Sequence, residues 1–296
     1  MEIGINDYVD ADHYRSLNED NFDVSRTCED KRKPMNHMHL GVEVLFCEKG
    51  GATYFIEGKK YRMVPGSILI IGSRETHMRV MEELPFQRYG LTVKPSYLKT
   101  LNLDENLLEV FQTPGVDRYE SHLQRADHGL FQNIVLLLAM LYGERKQQLE
   151  FSLISERMLI SEIAILLFRA AGLEPKESLS LPIRKQMEKV REYIDQNFRG
   201  DLNLDQLSKH FFLHPVTISK EFKHCFGSNL STYINRVRIC ESCYLLENTE
   251  YSILDIAHRC GYESINTFLR QFRAIMQNTP TQYRKDARSW YLGQER

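Results

Sequence analysis

Residues Ser252 to Arg284 read SILDIAHRCGYESINTFLRQFRAIMQNTPTQYR. Ile253, Ile256 and Ala257 recur at helical spacing and put one apolar stripe on a short first helix. Cys260-Gly261 predicts its end, because glycine takes the left-handed position after a helix at little cost. Ser264 stands where an N-cap stands, and Phe268 and Phe272 give a second helix its own inward stripe at i, i+4. Ala257 is small where the two helices should cross, and Thr279-Pro280 predicts the end of the unit. Two helices joined by a tight glycine turn, the second with polar outward residues, follow the plan of a helix-turn-helix that lays its second helix in a DNA major groove.

The pattern I-x-x-I-A-x-x-x-G-Y-x-S-x-x-x-F-x-R-x-F-R from Ile253, followed by T-P-x-x-Y-R ending at Arg284, resembles the C-terminal signature of the AraC-type (arabinose-regulator) family of bacterial transcription factors. One position departs from it. Gln277 stands where the family has a glycine, which predicts that the second helix ends differently or runs on a little. An earlier copy of the unit runs from Leu204 to Tyr233, with Phe222 lying 50 residues before Phe272 and Ser208 matching Ala257. His214-Pro215 opens its second helix, since proline at the first helical position sacrifices an N–H that has no partner there anyway. A helix from Ser231 to about Glu247 is expected to join the copies and to hold both reading helices on one face of the duplex.

By alignment with the family, the base-facing positions are Val216, Ser219 and Lys220 on the first reading helix, and Ile265, Asn266, Leu269 and Arg270 on the second. Arg270 suits guanine and Asn266 adenine, through paired hydrogen bonds. Lys223, Ser264 and Thr267 are expected to contact phosphates and set the register.

From Pro34 to about Val93 the chain reads as β structure. Val42 to Cys47 is a strand, Gly50-Gly51 a turn, Glu57-Gly58-Lys59 a hairpin turn, Ser67 to Ile71 a buried strand and Phe86 to Val93 another. Short strands at this spacing suggest a small barrel or jelly roll. His37-x-His39-x-x-x-Glu43, followed by Gly50, Gly66 and His77, resembles the two signature motifs of the cupin barrel, with Gly72 and Arg74 replacing the usual proline and glycine of the second. Positions 37, 39 and 43 share parity, so an unbroken strand would point all three side chains to one face. Facing the lumen, His37, His39, Glu43 and His77 would contact a polar organic ligand. The same set suits a divalent metal such as Zn, Fe, Mn or Ni, and a purely structural hydrogen-bonding role is the third reading.

Asp127 to about Gly143 and Phe151 to Ala171 read as helices whose apolar faces are broader than packing on one barrel needs. In the resembled family such helices pair protomers, which implies a homodimer. Gly172 to Pro182 has proline and serine and no periodicity, and reads as a linker. The chain is therefore an α+β multidomain protein: a cupin-like ligand-sensing and dimerisation domain over residues 1–172, a linker over 173–182 and an all-α domain with two helix-turn-helix units over 183–296.

The remaining composition agrees. Residues 183–296 hold 17 Lys and Arg against 13 Asp and Glu, while the rest hold 21 against 27, a modestly basic part beside an acidic one. There is no run of 18 apolar residues and no signal-like start, so neither a membrane span nor secretion is expected. Cysteines at 28, 47, 225, 240, 243 and 260 read as reduced cytoplasmic thiols, because Cys240-x-x-Cys243 lacks second-half ligands. The resemblance implies a cytoplasmic transcriptional activator, not an enzyme, that binds promoter DNA, answers to a small molecule such as a carbohydrate and works with RNA polymerase. A ligand-independent or partner-controlled DNA binder and a metal-responsive regulator are the alternatives.

Overall fold

The computed structural model describes residues 20–29, 36–111, 122–173 and 181–292, which form two units. In the first, β1 (Phe22–Glu29), β2 (Val42–Ile56), β3 (Lys59–Met63), β4 (Ser67–Ile71), β5 (His77–Val93) and β6 (Leu123–Arg125) make one antiparallel sheet. Its order is β1-β5-β2-β4-β6, with β3 paired to β2. Two short helices follow β5, α1 (Pro95–Thr100) and α2 (Glu105–Leu108), and two long ones follow β6, α3 (His128–Gln147) and α4 (Ser152–Ala170). Asp127 caps α3 by accepting from the Leu130 N–H.

The Gly50-Gly51 turn expected from the sequence is instead the middle of β2, which runs on through a series of bulges between Cys47 and Ala52. Gly50 has φ +74°, and a Cβ there would lie 2.4 Å from the carbonyl oxygens of both Glu83 and Pro85. The glycine serves close approach of β5 at a bulge, not chain reversal. Reversal comes at Glu57 and Gly58, both at positive φ as a two-residue type I′ hairpin requires.

Strand parity sorts the core into two layers. Val44, Phe46, Ile68, Ile70, Leu91 and Val93 face Ile134 and Leu138 of α3 and Ile160 and Ile163 of α4. Leu45, Tyr54, Ile56, Met63, Leu69, Ile71 and Phe86 face the other way and are buried against one another by the sheet itself, as a barrel-like sheet requires. Each such side chain contributes roughly 1.5–3 kcal/mol.

The second unit holds α5 (Leu181–Asn197), α6 (Leu204–Phe211), α7 (Pro215–Phe226), α8 (Leu230–Asn248), α9 (Ile253–Arg259), α10 (Ile265–Met276) and α11 (Pro280–Leu292). α5 starts at Leu181, two residues before the expected boundary, with Pro182 tolerated in its first turn. The rest of the expected linker, residues 174–180, lies outside the described residues. Thr279-Pro280 does not end the structure. The Thr279 hydroxyl accepts from the Gln282 N–H and starts α11.

Residues Asn36–Met38 group with this unit, Met38 being buried among Ile239, Phe268 and Phe272. No described helix is long and apolar enough to cross a membrane.

Candidate functional site

The second helix-turn-helix is built as its sequence predicts. Ser252 caps α9 through the Asp255 N–H (3.0 Å) and donates to the Asp255 carboxylate (2.6 Å). At the other end the Gly261 N–H donates to His258 O (2.9 Å) and the Tyr262 N–H to Ala257 O (3.0 Å), the paired bonds of a Schellman motif. Gly261 has φ +82°, and a Cβ there would lie 2.6 Å from the Arg199 carbonyl oxygen. Gln277 ends α10 in the left-handed conformation, φ 54°, so the helix stops where a glycine would stop it and does not run on.

On α10 the exposed stripe is Asn266, Arg270 and Arg273, at i, i+4 and i+7, with Ile265, Thr267 and Leu269 half-buried beside it. Ser264 occupies the N-cap position and is exposed, but its side chain makes no cap bond. Arg273 was not singled out from sequence, although its spacing from Asn266 and Arg270 is the signal that finds it. On α7, Val216, Ser219, Lys220 and Lys223 are all exposed and share one face, while Ile218, Phe222 and Cys225 are buried. His214 accepts from the Val216 N–H at the N-terminus of α7. Ser208 stands at the crossing as expected and donates across the turn to Leu213 O (2.5 Å).

In the sheet unit His39, Glu43 and His77 come together, all buried, with ligand atoms within 4.8 Å of one another. His39 Nε2 and His77 Nε2 each lie 3.4 Å from Glu43 Oε2, and the rings meet edge to face. His39 Nδ1 lies 3.0 Å from Gly41 O, and His77 Nδ1 lies 3.0 Å from Glu75 O. A carbonyl oxygen only accepts, so both Nδ1 atoms carry protons and both Nε2 atoms turn toward the carboxylate. Burial would raise the Glu43 pKa, but the hydrogen bonds and charge of His39 and His77 hold it well below the usual carboxylate range.

His37 is not part of this group, contrary to the sequence expectation. β2 begins at Val42, so residues 37–43 are not one strand and parity does not carry across them. His37 lies in the short segment that groups with the helical unit.

Further buried polar groups lie outside the site set expected from sequence. Tyr54 accepts from Arg79 Nη1 (3.3 Å), and Arg88 is buried on the same layer. His122 bridges the Tyr61 hydroxyl (3.0 Å) and Glu75 Oε2 (2.9 Å), and Glu75 also accepts from the Gly72 N–H (2.7 Å), which holds the start of β6 to β4.

Comparison with known proteins agrees with both units. A model for an AraC-like ligand binding domain matches residues 21–159, and one for a helix-turn-helix domain matches residues 207–286. The chain is 23% identical over 249 residues to the HTH-type transcriptional activator RhaS of Escherichia coli, covering 84% of this chain and 87% of that protein. Among solved structures, an apo ToxT variant from Vibrio cholerae aligns with a TM-score of 0.61 at 14% identity, over 90% of this chain and 98% of that one. Wild-type ToxT with bound unsaturated fatty acid aligns with a TM-score of 0.59 at 16% identity, over 89% and 94%. At these identities the structural likeness establishes the fold.

Proposed function

Because this chain belongs to the AraC-type family of transcriptional regulators, we propose that it is a sequence-specific DNA-binding activator controlled by a small polar molecule, a carbohydrate in the first instance, bound inside its sheet. The observation that carries the DNA-binding half is the pair of exposed stripes on α7 and α10, each starting at the N-terminal turn of its helix and each backed by its own buried core. Asn266 and Arg270 read bases, joined by Arg273 on the same stripe, with Val216, Ser219, Lys220 and Ile265 as the other base-facing positions. Lys223, Ser264 and Thr267 hold phosphates.

The wide apolar surface on α3 and α4 supports a homodimer. Leu153 is 74% and Met158 68% exposed on α4, where Ile154 is exposed too, as are Leu136 and Met140 on α3. An activator of this kind acts on RNA polymerase at the promoter. In the sheet, His39, Glu43 and His77 offer two imidazoles and a carboxylate to the hydroxyls of a sugar, and His37 is left out of that set. Effector binding shifts the fraction of dimers able to occupy paired DNA sites.

The test is DNA affinity of the full chain, on sites selected from random duplexes, with and without a panel of sugars. Arg270→Ala should relax one base position at a cost of about 1–3 kcal/mol, while Lys223→Ala should weaken all sequences alike and lower the salt dependence. A selection that yields no consensus would refute the reading. Affinity and DNA geometry that no sugar alters would favour ligand-independent or partner-controlled binding.

A second reading has its own support. Both imidazoles are pinned through Nδ1 to backbone carbonyls, the arrangement that orients histidine toward a metal. His39, Glu43 and His77 would hold a divalent cation that neutralises the carboxylate and ties the approach to β2 to the start of β5. Stabilisation of the full chain by Zn(II), Mn(II) or Ni(II), reversed by chelator and abolished in His77→Ala, would establish a metal-responsive regulator.

A further inference from the structure

The two helix-turn-helix units differ in what they show to solvent where the second helix begins. With Phe222 matching Phe272, the stripe Val216, Ser219, Lys220 and Lys223 of α7 aligns position for position with Asn266, Leu269, Arg270 and Arg273 of α10. The cationic positions agree. The first position does not: α10 offers an amide there, and α7 an isopropyl group, 65% exposed on the second residue of the helix.

The turn before α7 differs in the same direction. The Leu213 N–H donates to Ser208 O (3.1 Å) as the Tyr262 N–H does to Ala257 O (3.0 Å), so Phe212 holds the place of Gly261. Phe212 is left-handed, φ 54°, a conformation that strains any residue with a side chain, and it is 93% exposed. At Gly261 a Cβ would meet the Arg199 backbone, whereas the Phe212 ring meets solvent. Strain that internal packing does not offset marks residues that work on a partner.

The face itself says what partner. Val216 shares it with Lys220 and Lys223, and Glu221, the one acidic residue of α7, lies 3.9 Å from Lys220 Nζ. An apolar contact flanked by ammonium groups suits the major groove, with phosphates along its edges and a methyl group on its floor at each thymine. The N-terminal residues of the second helix meet base edges in such a unit, and helical side chains lean toward that end. From these positions we infer that the first reader recognises thymine through its C5 methyl group, by apolar contact with Val216 and Phe212, while the second reads by hydrogen bonds. This rests on the reading of α7 and α10 as the base-reading helices. It gives the part of the site under α7 a base pair told apart by a methyl group and not by donors and acceptors.

The experiment takes a duplex selected from random sequence and replaces its thymines, one at a time, by deoxyuridine, which lacks only the methyl group. Affinity of the full chain should fall about fourfold at one thymine or more, the effect of withdrawing one buried methyl. Val216→Ser should weaken binding to the unmodified duplex. The same deoxyuridine should then weaken it by less than about twofold further, because the two groups form one contact. Phe212→Gly should weaken binding too, although the variant unfolds no earlier, since glycine takes the left-handed conformation without strain.

Deoxyuridine without effect at every thymine, on a duplex that the chain still selects, would overturn the methyl contact and leave the DNA-binding reading standing. An effect as large in Val216→Ser as in wild type would assign the methyl to another residue and overturn it too. If both variants bind DNA as wild type does but fail to alter transcription by purified RNA polymerase, the patch docks a protein and the inference falls. A selection that yields no consensus takes the DNA-binding reading and the thymine contact down together.

Discussion

Gly261→Ala tests whether the turn between α9 and α10 is what places the reading helix. Two separate penalties meet there. An L side chain at φ +82° costs about 1–2 kcal/mol in the left-handed region. The new methyl would also lie 2.6 Å from Arg199 O and 2.9 Å from two more backbone atoms of Arg199, and backbone is the neighbour least able to yield. Residues on either side of Arg199 are pinned, because Arg238 donates to Phe198 O and to Gly200 O at 2.8 Å each. Relief therefore requires giving up those charge-assisted bonds, at roughly 1.5–3 kcal/mol each, or the Schellman bonds of the turn at roughly 1 kcal/mol each. The expected loss is about 3–5 kcal/mol, a large share of the stability of an ordinary domain.

Gly58→Ala is the control, since Gly58 has φ +78° with nothing within 4 Å of its Cβ, so only the conformational cost applies. Urea unfolding of the full chain, followed by helical circular dichroism for the second unit and by ligand-free proteolysis for the first, compares them. A loss below about 1 kcal/mol at Gly261, equal to that at Gly58, would refute the close packing of the turn against Arg199.

Three further outcomes follow from the same structure. Gln277→Gly should stabilise the helical unit by roughly 0.5–1 kcal/mol in denaturant, since glycine takes φ 54° without strain; destabilisation would mean that the Gln277 side chain contributes more than its backbone costs. Burial raises the Glu247 carboxyl from its ordinary 4.5 to about 7, although the Tyr283 hydroxyl that donates to it pulls the other way. A carboxyl whose folded pKa is raised holds its proton longer folded than unfolded, so stability should fall by at most about 3 kcal/mol as pH rises from 4.5 to about 7, then level off. Glu247→Gln should flatten that slope in pH-dependent melts, and an unchanged slope would assign it elsewhere. Leu153→Asp with Met158→Asp should give a monomer of unchanged helix content in sedimentation velocity, and a persisting dimer would move the interface off α4.

The helical unit was legible because its constraints are local. The stripe of Phe268 and Phe272 and the glycine turn at Gly261 each act within one turn of chain, so a single sequence displays them. Even the substitution at Gln277 is absorbed locally, as a strained residue in the place of a glycine. The sheet unit was legible in class and less so in detail. Gly50-Gly51 resembles a turn in sequence, and only the approach of Glu83 and Pro85 from a distant strand makes it a bulge. Parity placed His37 beside His39 and Glu43, but parity holds only within a strand, and β2 starts after all but Glu43. The Tyr61, Glu75 and His122 group joins residues up to 61 apart. No spacing rule reports such partners.

The construction of α8 limits how an effector can work. Leu230, Ile234 and Val237 enter the core of the first helix-turn-helix, and Ile239, Cys243 and Leu246 that of the second. At 100° per residue these two sets lie on roughly opposite sides of the helix, offset by about 13 Å along its axis. Each reader is thus packed onto its own side of one rod, and neither can rotate or slide against the other without opening a core. Densely packed cores do not deform continuously, so the spacing of the two reading helices within a protomer is fixed by sequence. On the function proposed above, control by a small molecule must then act on whole readers, through how many are presented to DNA together and in what pairing. Under the proposed function, the regulatory variable is then the pairing of whole readers on DNA, and the half-site geometry of each protomer stays the same with and without effector.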